Sequence, residues 1–260
     1  MNGWDIKEYF DEIVFESYNL YNFIHSIQYK NKIKNIELEL NHNQCNLILN
    51  GPSSRDINID TSLPCFFVNY GFNHQYFKQV KSPILIIIDT KLIRGEWDLS
   101  ILTEALKANQ NVKFIFNYKY LTSKKFLSYV KKVNCLGYIN NSRIPTRFNW
   151  KRKLEIGKFN FGVGVAEQAL SLMGSLGYKK INTYGFDGNN VLLALTGKDT
   201  HFYGSDSTKD WSDPRFISRE LRFLSYFVDR NYWLSKCLKY NNIKVKNYTS
   251  SKMTAMYNER

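Results

Sequence analysis

"CNLILNGPSSRDINIDTSLPCFFVNYGFNH", residues 45–74, contains two short apolar runs that each end on an asparagine, Asn50 in the first and Asn69 in the second. The first run stops at Asn50-Gly51-Pro52-Ser53-Ser54, five residues that all favour turns. One such ending is accounted for by a capped structural turn. Two in succession point to something else, because ligands of an open α/β sheet lie beyond the carboxyl ends of its strands. Gly51 lets the backbone approach a ligand closely, and Ser53 and Ser54 offer hydroxyls and amides that suit a phosphate or a ribose oxygen.

The same alternation runs through the rest of the chain. Strands are expected at 45–50, 65–69, 84–88, 112–116, 135–139, 181–185 and 243–248, with helices at 98–109, 122–132, 162–176 and 216–240. The run "ILIII" at 84–88 is apolar at every position, the mark of a parallel strand covered on both faces. Strands alternating with helices predict an α/β fold, a doubly wound and mostly parallel, Rossmann-like sheet. Residues 1–44 read as an N-terminal helical extension and 45–260 as a single α/β domain. Within the extension, Phe10, Ile13, Val14, Tyr21, Ile24 and Ile27 recur at helical spacing over 4–30. They fit a helix packed on the domain; with Trp4, Tyr9 and Phe10 they also fit an interfacial or oligomer-forming helix. Residues 187–215 carry Gly, Asn, Asp, Ser and Thr at a length that marks a lid or site loop.

Composition narrows the classes. A hydrophobic fraction of 43% and an aromatic fraction of 16% in 260 residues support a substantial core. The net charge of +13 points toward anionic partners: phosphorylated ligands, an anionic membrane surface or nucleic acid. The lysines are scattered and no nucleic-acid-binding signature accompanies them, so nucleic acid is not expected. Cys45, Cys65, Cys135 and Cys237 form no C-x-x-C pair, which predicts free thiols rather than a zinc site. The N-terminus lacks the pattern of a signal peptide and no run of eighteen apolar residues occurs, so the expected location is the cytoplasm.

Asp89 and Asp187 stand at two further strand ends. Fourteen residues beyond Asp187 comes "HFYGSD", with His201 in the polar loop. Imidazole accepts a proton near neutral pH, so His201 is either a general base or a plain surface histidine. No Asp-x-Asp pair occurs anywhere in the chain, the motif that commonly holds a metal under a nucleoside diphosphate sugar. A donor with one phosphate could be stabilised by hydroxyls and amides, with or without one Lys or Arg.

Taken together, "LILNGPSS", "FFVNYGF", "FGVGVAEQALSLMGSLGYKKINTYGFDG" and "HFYG" resemble the small bacterial sialyltransferases that elongate lipooligosaccharides from a CMP-activated sugar, and related transferases for nonulosonic acids or Kdo. The resemblance spans residues 45–250 and implies a GT-A-like sialyltransferase variant of the α/β fold, whose domain 45–260 binds a nucleotide sugar. It implies CMP contacts from Asn50, Gly51, Pro52, Ser53, Ser54 and Asn69, with Asp89, Gly185 and Phe186 at neighbouring strand ends. The family's Thr-Ser-Gly before the central helix corresponds to Asn160-Phe161-Gly162, which lacks both hydroxyls. The family's catalytic histidine falls on Ser205, so either the base role passes to His201, with Asp187 next in line, or the donor, acceptor or stereochemistry differs; Tyr203 is the candidate to steady the departing phosphate. The implied partners are a CMP-activated sugar and a glycan or glycolipid acceptor in lipopolysaccharide or capsule biosynthesis, with no metal or other cofactor. Peripheral contact with an anionic membrane at its inner face and homo-oligomer formation accompany this reading. Two other readings stand beside it: a pterin pyrophosphokinase-like enzyme using ATP and magnesium, and a non-enzymatic basic protein that binds membranes or nucleic acid.

Overall fold

A computed structural model describes residues 3–27, 36, 41–139, 142–155, 160–162, 164–188, 190–204, 211–249 and 251–258. Strands β1 (Gln44–Ile48), β2 (Cys65–Val68), β3 (Ile84–Ile87), β4 (Lys113–Asn117) and β5 (Cys135–Ile139) succeed one another along the chain. A short pair follows, β6 (Ser142–Arg143) and β7 (Asn160–Phe161), and then β8 (Lys180–Tyr184) and β9 (Lys244–Asn247). Seven strands form one sheet in the order β5-β4-β3-β2-β1-β8-β9, and every pairing is parallel.

The apolar strands have two covered faces. Along β3, Ile84, Ile86 and Ile88 join one core while Leu85 and Ile87 join the other. Strand β2 divides in the same way, Phe66 and Val68 against Cys65 and Phe67. Helices α2 (Gln75–Gln79), α3 (Lys91–Arg94), α4 (Ser100–Ala108) and α5 (Lys124–Val130) supply Phe77, Leu92, Ile101 and Phe126 to one side. Helix α6 (Val165–Ser175) and helix α8 (Pro214–Tyr240) supply Leu172, Met173, Leu234 and Leu238 to the other. The one polar interruption of β1, Asn46, is fully buried and satisfied: it donates to the Asp60 carbonyl at 2.8 Å and accepts from Asn182 at 2.9 Å.

Two stretches differ from their sequence reading. The segment 187–215 is not all irregular, because α7 (Asn190–Leu195) forms on its apolar run and α8 starts at Pro214. Asp213 caps α8 by accepting from the Arg215 amide at 2.9 Å, and proline suits the first helical turn. The second difference is the N-terminal helix α1 (Gly3–Ile27), which docks by its polar side. Glu12 is wholly buried and accepts from Arg230 at 2.8 Å and from the Arg147 amide at 3.2 Å. Asn19 exchanges hydrogen bonds with the backbone of Ile144 at 2.7 and 3.0 Å, and Glu16 accepts from Asn149 at 2.9 Å. These groups take up the Ile144 backbone, the Arg147 amide and Nη2 of the buried Arg230 guanidinium, which apolar side chains cannot do. Phe15 packs inward against Tyr226 and Arg230, while the other described apolar residues of α1 are exposed. Residues 28–30 of the expected helix, and the Trp4 side chain, lie outside what is described.

Of the four cysteines, Cys45, Cys65 and Cys237 are buried free thiols and Cys135 is half-buried. Burial pushes the Cys65 thiol up to about 11, so it carries no thiolate near neutral pH.

Candidate functional site at the switch point

The chain leaves β1 toward β2 on one side and leaves β8 toward β9 on the other, yet β1 and β8 are neighbours. The sheet therefore has its topological switch point between them, where connections diverge and a crevice opens. Beyond the strands the two backbones stay paired, Leu49 donating to the Tyr184 carbonyl at 2.8 Å and Gly51 to that of Gly185 at 3.1 Å. Only glycine fits at residue 51, since a Cβ there would stand 2.4 Å from both the Gly185 carbonyl oxygen and Asp187 Oδ2. Gly185 turns the chain with φ of 71°, a left-handed conformation that glycine adopts without strain.

A cavity of about 280 Å³ opens at this point. The strand-end residues Asn50, Gly51, Asn69, Gly185, Phe186 and Asp187 line it together with His201. Asn50 Oδ1 and Asn69 Oδ1 are buried with no hydrogen-bond partner. An unpaired buried amide oxygen is costly, so two at one cavity mark positions prepared for donors from outside. Asn69 also holds φ of 48°, one of two non-glycine residues on the left-handed side among those described. Such strain concentrates at functional sites.

Three latches fix the His201 segment over the turn after β1. Phe202 donates its amide to the Asn50 carbonyl at 2.9 Å. Arg55 donates to the Phe202 carbonyl at 3.0 Å and pairs with Asp199 at 3.2 Å. His201 and Gly204 exchange backbone hydrogen bonds at 3.0 and 3.1 Å, closing a tight loop in which the His201 ring stacks on Tyr203 at 5.0 Å. His74, which the sequence reading passed over, supports the same turn from below. Its Nε2 lies 2.7 Å from the Ser54 carbonyl while its Nδ1 accepts from the Tyr76 amide at 3.3 Å, and the Phe202 ring meets it edge-on. Burial lowers the His74 pKa, against the Ser54 hydrogen bond, which fits a neutral ring donating from Nε2.

The other expected residues fall elsewhere. Asp187 borders the cavity, but its carboxylate accepts from the Ser53 amide at 3.0 Å, from the Ser53 hydroxyl, and from the Thr249 hydroxyl at 2.5 Å. Ser54 is turned inward onto the Gly51 carbonyl at 2.8 Å, and Pro52 opens the 3-10 turn. Asp89 ends β3 in a local turn, accepting from the Lys91 amide at 3.1 Å, and does not border the cavity. Asn160 and Phe161 pair with β6, and Gly162 packs against Glu167 and the Gln168 amide. Tyr203 stands behind the His201 ring, outside the lining. Ser205 lies outside the described residues.

Two contributors come from helices. Val165 and Ala166, the first turn of α6, face the cavity and bring the positive end of that helix to it. Under this turn Glu167 is fully buried, accepting from the Gly164 amide at 2.9 Å and from Asn231 at 2.8 Å. Burial raises its pKa, against those hydrogen bonds. Helix α8 closes the far wall with Glu220, Phe223 and Phe227. Among the described residues that line the cavity there is no Lys or Arg.

No protein-family model matches the chain, and no curated protein matches it. Among solved structures it is similar to the monofunctional alpha-2,3-sialyltransferase Cst-I from Campylobacter jejuni, with a TM-score of 0.50 and 13% identity over 85% of this chain and 82% of that one. It is also similar to an apo alpha-2,3-sialyltransferase from the same organism, with a TM-score of 0.45 and 13% identity over 86% of this chain and 82% of that one. A third structure is the C. jejuni sialyltransferase CstII in complex with cytidine-5'-monophosphate, with a TM-score of 0.43 and 16% identity over 82% and 83%. At these identities the similarity to Cst-I establishes a shared fold: a parallel α/β sheet with an N-terminal helix.

Proposed function

We propose that this chain is a glycosyltransferase that moves a sugar, sialic acid or another nonulosonic acid or Kdo, from a CMP-activated donor to a surface-glycan acceptor. The observation that carries the reading is the pair of unpartnered amide oxygens, Asn50 Oδ1 and Asn69 Oδ1, at the switch point of a sheet shared with Cst-I. The exocyclic amine of cytosine and the ribose hydroxyls are donors of the kind these oxygens lack. The single phosphate of such a donor suits the first turn of α6, where amides and the helix dipole replace a cation. In the transfer, the acceptor oxygen attacks the anomeric carbon and the bond from that carbon to the phosphate oxygen breaks. CMP leaves with the electron pair, and His201 takes the acceptor's proton. The segment 187–215 serves as the site loop of a catalytic domain formed by 45–260.

CMP is expected to stabilise the folded protein, by about 2.7 kcal/mol at a hundred times its dissociation constant. EDTA should leave that stabilisation in place, because no Asp-x-Asp pair is present to recruit a metal. Thermal melting with CMP, UDP plus manganese and ATP plus magnesium decides the donor class. Preference for UDP with manganese defeats the CMP reading, and preference for ATP with magnesium favours the pyrophosphokinase alternative.

Asn50→Ala and Asn69→Ala should each weaken CMP binding roughly two- to tenfold, the loss of one hydrogen bond between neutral groups. Titration calorimetry on folded variants checks this. Unchanged affinity in both would move the nucleotide away from the switch point.

A further inference from the structure

The inverted polarity of α1 leaves a surface that the transferase reading does not use. Phe10, Val14 and Ile24 are 62%, 63% and 60% exposed, with Ile13, Leu20 and Ile27 beside them. The described outward side chains of α1 include no charged residue, while Glu12, Glu16, Asn19 and Asn22 point toward the domain. By helical geometry the outward face, apolar but for Ser17, covers about half of the helix circumference. That is much wider than the narrow seam through which two helices pair. A wide arc suits a medium that surrounds it on several sides. Among the described residues no helix is long and apolar enough to cross a membrane.

Cations flank both ends of this arc. Near its start Arg147 lies over the Phe148 ring, and that ring meets Tyr9 at 6.1 Å. Near its end Lys119 adjoins Tyr21 and Asn22, beside Arg94, which pairs with Glu96 at 2.6 Å. The whole chain carries +13. We propose that α1 lies in the interface of an anionic phospholipid membrane, its apolar arc among the upper acyl chains and the neighbouring cations on the headgroups. The helix differs from an ordinary amphipathic anchor in that its polar face is already occupied: Glu12 and Asn19 bind it to the domain, so binding docks the whole protein in a defined orientation. This inference rests on α1 and the cations beside it and is independent of the donor sugar.

Flotation of the full chain with vesicles tests it, using phosphatidylcholine alone and phosphatidylcholine with about 30% phosphatidylglycerol. The native protein is expected to float with the anionic vesicles, and more weakly with the neutral ones or as salt rises. Phe10→Glu combined with Ile24→Glu should lower vesicle partitioning at least tenfold. Both positions are exposed, so the melting temperature and the CMP-induced shift should be unchanged, which separates this test from that of the transferase reading. Equal flotation of native and variant protein, or of native protein with both vesicle types, overturns the proposal. Absence of flotation also overturns it. A dimer seen by light scattering that the same substitutions split, without vesicle binding, assigns the face to a second copy instead.

Discussion

His201→Ala is expected to lower turnover of the proposed transfer by about a hundredfold to ten-thousandfold and to leave CMP binding nearly intact. The ring lines the switch-point cavity and stacks on Tyr203 at 5.0 Å with the two planes 17° apart. Its backbone is held independently of the ring, by the paired hydrogen bonds with Gly204 and by the Phe202 amide on the Asn50 carbonyl. Removing the imidazole therefore takes away a proton acceptor without releasing the loop. The native enzyme should lose activity toward acid pH, because a protonated ring cannot take the acceptor's proton, and the variant should lack this limb. Single-turnover rates across pH, with CMP affinity measured in parallel, test both points. Near-native turnover in His201→Ala would exclude the role.

Asp187→Ala should act mainly on stability, with a loss of about 2–4 kcal/mol. The Asp187 carboxylate gathers the Ser53 amide, the Ser53 hydroxyl and the Thr249 hydroxyl, so it joins the turn after β1 to the turn after β8 and to the chain beyond β9. Truncation leaves the Ser53 amide and the buried Thr249 hydroxyl without their acceptor. The crevice would then lose its definition, and CMP affinity should fall together with stability. Asp187→Asn keeps one acceptor oxygen and should recover part of both. Urea unfolding of the two variants measures the effect. If Asp187→Ala retained full stability and CMP binding but lost turnover, the base would be Asp187 and His201 would be a bystander.

Much of this architecture is legible in residue order because its signals are local. Ile84–Ile88 announces a strand with two buried faces, and Ile84 and Leu85 do enter opposite cores. Asn50 and Asn69 end their runs where a parallel sheet exposes its ligand-binding edge, and both border the cavity. Periodicity marks an apolar face; it does not state whether that face is buried, or against what. The same period of three and four that marks α1 as a helix is consistent with an apolar face turned in or out. The outcome depended on Arg230 and the backbone of 144–149, whose need for Glu12 and Asn19 lies more than a hundred residues away. His74 gave no motif, and its work under Ser54 follows from where α2 begins. Glu220, Phe223 and Phe227 entered the site because α8 crosses the switch point, a placement with no signal of its own. What the sequence by itself determined was the set of strands, helices and polar strand ends, each decided by neighbours within a few residues. Only the tertiary structure decided the order β5-β4-β3-β2-β1-β8-β9, which sets β8 beside β1 and so joins Asn50, Asp187 and His201 in one crevice. That choice rests on burying both faces of every central strand at once, a condition on the whole chain that no short window of residues contains.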